Sequence, residues 1–152
     1  MQKINFENKP STNSPINGTN LNLLQDNVED AINESISQIK ILTAARTATA
    51  NTATVSYTGV GFKPKFVIAL MVADATLYNS KGCTDGTSTK NVYQSAENTY
   101  RVNNSLVTYS NYGSWAQSAT LSSFDEDGFT LNWTKISNPP SAELQLIFIA
   151  MK

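Results

Sequence analysis

Apolar residues in the first quarter of the chain fall at helical spacing, and beyond it they alternate. Leu21, Val28, Ile32, Ile39 and Leu42 recur at intervals of seven, four, seven and three. A seam that narrow suits a helix packed on copies of itself rather than on a globular core. In heptad register Leu21, Val28, Ser35 and Leu42 form one row, and Gln25, Ile32 and Ile39 the other. Gln25 and Ser35 interrupt the seam and can fix its register, while Leu24 and Ile36 widen it, which favours three strands over two. The spacing predicts a helix over 19–42, capped by Thr19 or Asn20 and about 35 Å long. Asp26, Glu29, Asp30 and Glu34 load it, with Lys40 and Arg46 near its end, as the helix dipole prefers. A single amphipathic helix packed on its own domain remains the alternative. Three heptads alone are marginal, so the rest of the chain has to associate too. Residues 1–18, with Pro10, Pro15, Asn17 and Gly18 and no period, read as an extended arm ending in a turn.

From residue 43 onward the pattern is that of strands. Thr-rich alternation from Thr43 to Thr54 leads into Val55 and Tyr57. The run FVIALMVA, Phe66 to Ala73, is apolar on both faces and predicts a central strand covered on both sides. Pro64 stands just before it, where no ladder bond is lost. The segment NSKGCTDGTSTKN, 79–91, reads as a long polar loop. Short strands are expected at 91–96, 99–102 and 106–110, then at Phe129, Leu131 and Trp133, and last at ELQLIFIAM, 143–151. The fold class expected is α+β. An N-terminal arm (1–18) and a short trimeric coiled-coil helix (19–42) lead into a mostly antiparallel β-sandwich (43–152).

Composition narrows the chemistry. Only 15% of residues are charged, and Asn, Ser and Thr make up 50 of the 152, so polarity comes from groups that hydrogen-bond without charge. With a net charge of −1 and no basic stripe, no field draws nucleic acid or an anionic membrane. The absence of histidine excludes His-dependent triads and His-ligated metals. One cysteine, Cys83, excludes an intrachain disulfide and is expected to be an unreactive thiol in a polar loop. The carboxylates Asp125, Glu126 and Asp127 precede Gly128, and a hairpin turn explains them better than a calcium loop. No cofactor, no metal and no enzymatic activity are expected.

Residues 4–32, INFENKPSTNSPINGTNLNLLQDNVEDAI, resemble a leader in structural proteins of phages that infect low-GC Gram-positive bacteria. The I-N-F start, the P-S-T-N-x-P-I-N arm and the L-x-x-x-Q-D-N-V-E-D-A-I helix carry the resemblance. GVGFKPKFVIALMV and DEDGFTLNW with LQLIFIAMK are similar to the opening strand and closing hairpin of small β domains in tail and fibre proteins. The resemblance implies a virion component, commonly a homotrimer. Its arm would attach to capsid or tail proteins, and its β domain would face outward as a head or tail fibre. The seam Leu21, Val28, Ile32, Ile39 and Leu42 would then be the oligomerisation surface. An outward domain of that kind meets host surface carbohydrate, for which aromatic faces flanked by amides are suited. Tyr109, Asn111, Tyr112 and Trp115 in YSNYGSW are the candidate ligand-binding residues. Two other readings stay open: a baseplate or neck component without a host ligand, and a cellular lectin-like module.

Overall fold

The computed structural model describes residues 18–36, 38–74, 77–95, 99–112 and 114–152. They form one helix and ten strands, and the chain divides into two compact units, Met1–Gln38 and Ile39–Lys152. The arm expected over 1–18 lies outside the described residues apart from Gly18, which opens the helix.

Helix α1 spans Gly18–Ile36. It ends six residues before the expected boundary, because Ile39–Thr47 is strand β1. Two positions of the expected seam are thereby corrected: Ile39 and Leu42 lie on β1 and not on a helix. A spacing of seven fits both a heptad and a strand, and IKILTAART resolves the ambiguity through its alternation and its β-branched start. All nine residues of β1 pair antiparallel with the last strand, from Ile39 opposite Met151 to Thr47 opposite Glu143. That ladder and the burial of Leu42 against the core outweigh the two further helical turns. Lys40 and Arg46, expected to complement the helix dipole, belong to β1 as well.

The second unit is a β-sandwich in which every strand pairing is antiparallel. The remaining strands are β2 (Ala53–Thr58), β3 (Phe66–Ala73), β4 (Asn79–Thr84), β5 (Thr89–Gln94), β6 (Tyr100–Asn103), β7 (Val107–Asn111), β8 (Trp115–Asp125), β9 (Gly128–Ile136) and β10 (Glu143–Met151). One sheet has the order β1-β10-β3-β4-β5-β6 and the other β2-β9-β8-β7. Strands β3 and β10 begin and end where the sequence pattern placed them.

The core lies between the sheets. Val67, Ala69, Met71, Leu144, Leu146 and Phe148 from the six-stranded sheet meet Phe129, Leu131, Trp133, Val107 and Tyr109 from the other. Phe148 lies 4.7 Å from Tyr57 and 5.1 Å from Phe129 between ring centroids, which fixes the spacing of the layers at the β2–β9 side. Trp133, expected in the core, is fully buried there. Its indole N–H donates to the Tyr57 hydroxyl at 3.2 Å, and the Arg46 guanidinium lies 4.6 Å from its ring centroid.

The segment 79–91 is a second correction. It is a hairpin, β4 to β5, with a short turn at Asp85–Ser88. Its inward residues are Ser80, Gly82, Thr84 and Asn91, all buried, while Lys81 is exposed. These polar groups bond to one another across the interior. The Asn91 side-chain amide donates to Ser80 Oγ at 2.6 Å and to the Leu106 carbonyl at 3.1 Å, and the Thr108 N–H donates to Ser80 Oγ at 3.1 Å. Gly82 is required because a β-carbon there would overlap the Leu106 carbonyl. Cys83 sits on β4, half-buried, rather than in a loop.

Candidate functional site

The turn between β7 and β8 carries the candidate aromatic residues, and the hairpin sets Asn111 opposite Trp115. The four residues do not share one exposed face. Tyr109 is completely buried and belongs to the core. Its ring lies 4.8 Å from that of Trp115 and 5.0 Å from that of Tyr78, with Tyr78 and Trp115 5.4 Å apart. The three rings pack edge-on and tilted against one another. Alternation along β7 turns Tyr109 inward together with Val107, so the expectation that it meets a ligand is corrected. Burial raises the Tyr109 and Tyr78 hydroxyls above the ordinary tyrosine range, so both stay neutral near pH 7.

The accessible part of the cluster is Tyr112, which is 63% exposed, beside half-buried Asn111 and Trp115. The Arg101 guanidinium lies 3.6 Å from the Tyr112 ring centroid, a cation–π contact that holds one face of the ring. Arg101 comes from β6 of the other sheet, so sequence distance concealed this partner. The result is an exposed tyrosine ring near half-buried Trp115, with an amide and a guanidinium close by. Such a surface can lie against the C–H face of a sugar and bond its hydroxyls.

The acidic turn is structural. Asp127 accepts N–H bonds from Gly59 and Gly61, and Asp125 accepts from Ser123 Oγ and Thr130 Oγ1, each at 2.7 Å. These bonds shape the β8–β9 turn and the loop after β2. Gly128 takes φ +152°, and a β-carbon there would overlap the Tyr57 carbonyl. No group of three or more metal-ligating side chains occurs among the described residues.

Two apolar surfaces stand out, and each is described within its own unit. On α1, Leu23, Leu24, Val28 and Ile32 are 55, 60, 49 and 41% exposed, and Leu21 is partly covered. The helix has four carboxylates and no basic residue. On the sandwich, the outward face of the six-stranded sheet carries Ile39 and Ile41 of β1, Ile147, Ile149 and Met151 of β10, and Phe66, Ile68, Leu70 and Val72 of β3. This face was half legible, because FVIALMVA announces a strand apolar on both sides. One side of β3 is covered by the core, while on the other Val72 remains 56% exposed. Among the described residues no helix is long and apolar enough to cross a membrane. Comparison of the chain with protein-family models, with curated proteins and with solved structures finds no match.

Proposed function

We propose that the chain is a bacteriophage structural protein, a homotrimeric head or tail fibre or appendage of the virion. Residues 1–18 would attach it to capsid or tail proteins, and the β-sandwich would face outward to meet host surface carbohydrate. The observation that carries this reading is α1. Its seam of Leu21, Val28 and Ile32 keeps helical spacing, and Val28 and Ile32 stay 49 and 41% exposed. A 19-residue helix with an open apolar stripe needs partners to be stable in water. The resemblance of residues 4–32 to phage leaders supports the same reading. A second reading, a baseplate or neck component without a host ligand, draws support from the burial of Tyr109 and the packing of Trp115 on it.

Light scattering on the full chain tests assembly, with an expected mass three times that of the 16.6 kDa protomer. A monomer sinks the appendage reading. Binding to host cell-wall polysaccharide, lost on Tyr112→Ala at unchanged mass, separates the adhesive reading from the purely structural one.

A further inference from the structure

The two outward faces of the sandwich are dressed in opposite ways. On the four-stranded sheet the outward residues of β2, β8 and β9 are Thr54, Ser56, Thr58, Ser118, Thr120, Thr130, Asn132 and Thr134, as the register shows. They bond along the surface, Thr54 Oγ1 to Asn132 Oδ1 at 2.9 Å and Ser56 Oγ to Thr130 Oγ1 at 2.8 Å. That is the solvated face expected of an antiparallel sheet. The outward face of the six-stranded sheet runs instead in apolar rows. One row is Ile41, Ile149, Ile68, Cys83 and Lys90, and the next is Thr43, Ile147, Leu70, Lys81, Val92 and Val102. Ile39, Ile41, Ile147, Val92 and Val102 are between 41 and 68% exposed, well above what a covered face shows.

We infer that this face is an interface between copies of the chain, which pack their six-stranded sheets against one another. The inference deepens the homotrimer reading above and rests on it. Three features select a second copy over other occupants. First, the face is broad. Six strands about 4.8 Å apart and seven residues of about 3.3 Å give roughly 650 Å² in projection. Each partner of a standard interface contributes about 800 Å². A single helix about 10 Å wide would leave much of that face wet. Second, the outward residues of β1, β10 and β3 carry no charge except Glu143 at one end. A core depleted of charge is the composition of homomeric interfaces, and on this face it spans the β1–β10–β3 half. On the β4–β5 side Lys81 and Lys90 stand within the face and, with Phe66, Ile68, Val92 and Val102, line a depression of about 390 Å³. Third, one such face per chain, turned by each copy toward a common rotation axis, is buried in a closed ring of a few copies.

Cys83 reports on the interface without engineering. It is the chain's sole cysteine and stands in the row next to Ile68. The experiment follows mass by light scattering and thiol alkylation rate together, on the full chain through a dilution series. Ile147→Lys puts a charge in the face, and Thr120→Lys puts one in the polar face as a control. The expected result is slow alkylation in the assembled wild type and in Thr120→Lys. For Ile147→Lys the apparent dissociation concentration is expected to rise about a hundredfold, with fast alkylation. Circular dichroism of the Ile147→Lys monomer confirms its strands, and Val72→Lys repeats the test should that variant unfold. An assembled Ile147→Lys protein with an unchanged alkylation rate overturns the interface while the homotrimer reading stands. A monomeric wild type with fast alkylation overturns both. Slow alkylation in a monomer assigns the face to the chain's own N-terminal residues and overturns the second copy as its occupant.

Discussion

Removing one oxygen from either of two tyrosines is expected to change stability in opposite directions. The Tyr109 hydroxyl is buried, with no hydrogen-bond partner among the described residues, while its ring packs on Tyr78 and Trp115. A buried polar group without a partner costs about 1–3 kcal/mol of desolvation. Tyr109→Phe keeps the ring stack and removes that cost, offset in part by the small void left by the oxygen. The expected outcome is a gain of about 1 kcal/mol, or about 3–6 °C in Tm for a domain of this size. The Tyr57 hydroxyl, by contrast, accepts the indole N–H of fully buried Trp133 at 3.2 Å. Tyr57→Phe strands that donor and is expected to cost about 1–2 kcal/mol.

Urea unfolding followed by tryptophan fluorescence and far-ultraviolet dichroism measures both, at one protein concentration because assembly adds to stability by mass action. The slope against urea should stay unchanged, so that the midpoints report stability alone. A loss of 1 kcal/mol or more for Tyr109→Phe would mean that its hydroxyl is bonded, and would refute the assignment of Tyr109 to an apolar stack. Equal losses for both variants would refute the contrast.

Gly128→Ala is expected to destabilise by about 2 kcal/mol or more, since the backbone at φ +152° and the nearby Tyr57 carbonyl both exclude a side chain; thermal unfolding reads it. Acid is expected to weaken the sandwich through three aspartates. Asp85 is stabilised as the anion by the Ser88 and Thr87 amides, Asp125 by the Thr130 and Ser123 hydroxyls, and Asp127 by the Gly61 and Gly59 amides, and all three are held below the usual carboxylate range. Their contribution is complete above the unfolded-state value near pH 4 and is lost as pH falls through the lower folded values, so Tm should be flat above about pH 5 and fall below about pH 4. Asp127→Asn should flatten that fall, and an unchanged acid limb argues against its role. Ile32→Asp is expected to lower the mass seen by light scattering, because unpaired carboxylates would meet in the seam; an equally stable assembly would show that α1 does not associate through Ile32.

The strands most legible in the sequence are those whose two sides differ from their surroundings by hydropathy alone. Phe66–Ala73 and Glu143–Met151 are apolar runs bounded by turn residues, and the packing needs nothing else from them. The β4–β5 hairpin was illegible for the opposite reason. Its buried side is Ser80, Gly82, Thr84 and Asn91, made stable by bonds to Leu106 and Thr108 some fifteen to thirty residues away. A hydropathy pattern cannot show a polar interior that only tertiary contacts satisfy. The end of the helix failed through coincidence of period. Ile32, Ile39 and Leu42 continue a heptad, yet Ile39, Ile41 and Thr43 also fit one face of a strand, and β10 lies ready to pair with it.

The candidate site follows the same division. That YSNYGSW holds a loop could be read from its glycine, but which aromatic turns inward depends on the register between β7 and β8. That register places Tyr109 opposite Gln117 on the core side and leaves Tyr112 at the tip. Arg101, whose guanidinium covers one face of Tyr112, arrives from another sheet and carries no local signal. The outward face of the six-stranded sheet lies between these cases. Each strand announces its own surplus of apolar residues, but only the order β1-β10-β3 gathers three such strands side by side. A surplus on one strand is a surface residue or two, whereas three adjacent strands make a patch that water penalises in proportion to its area. The sheet order therefore turns a compositional excess into a directional demand for a partner, while the Thr and Asn face opposite makes no such demand.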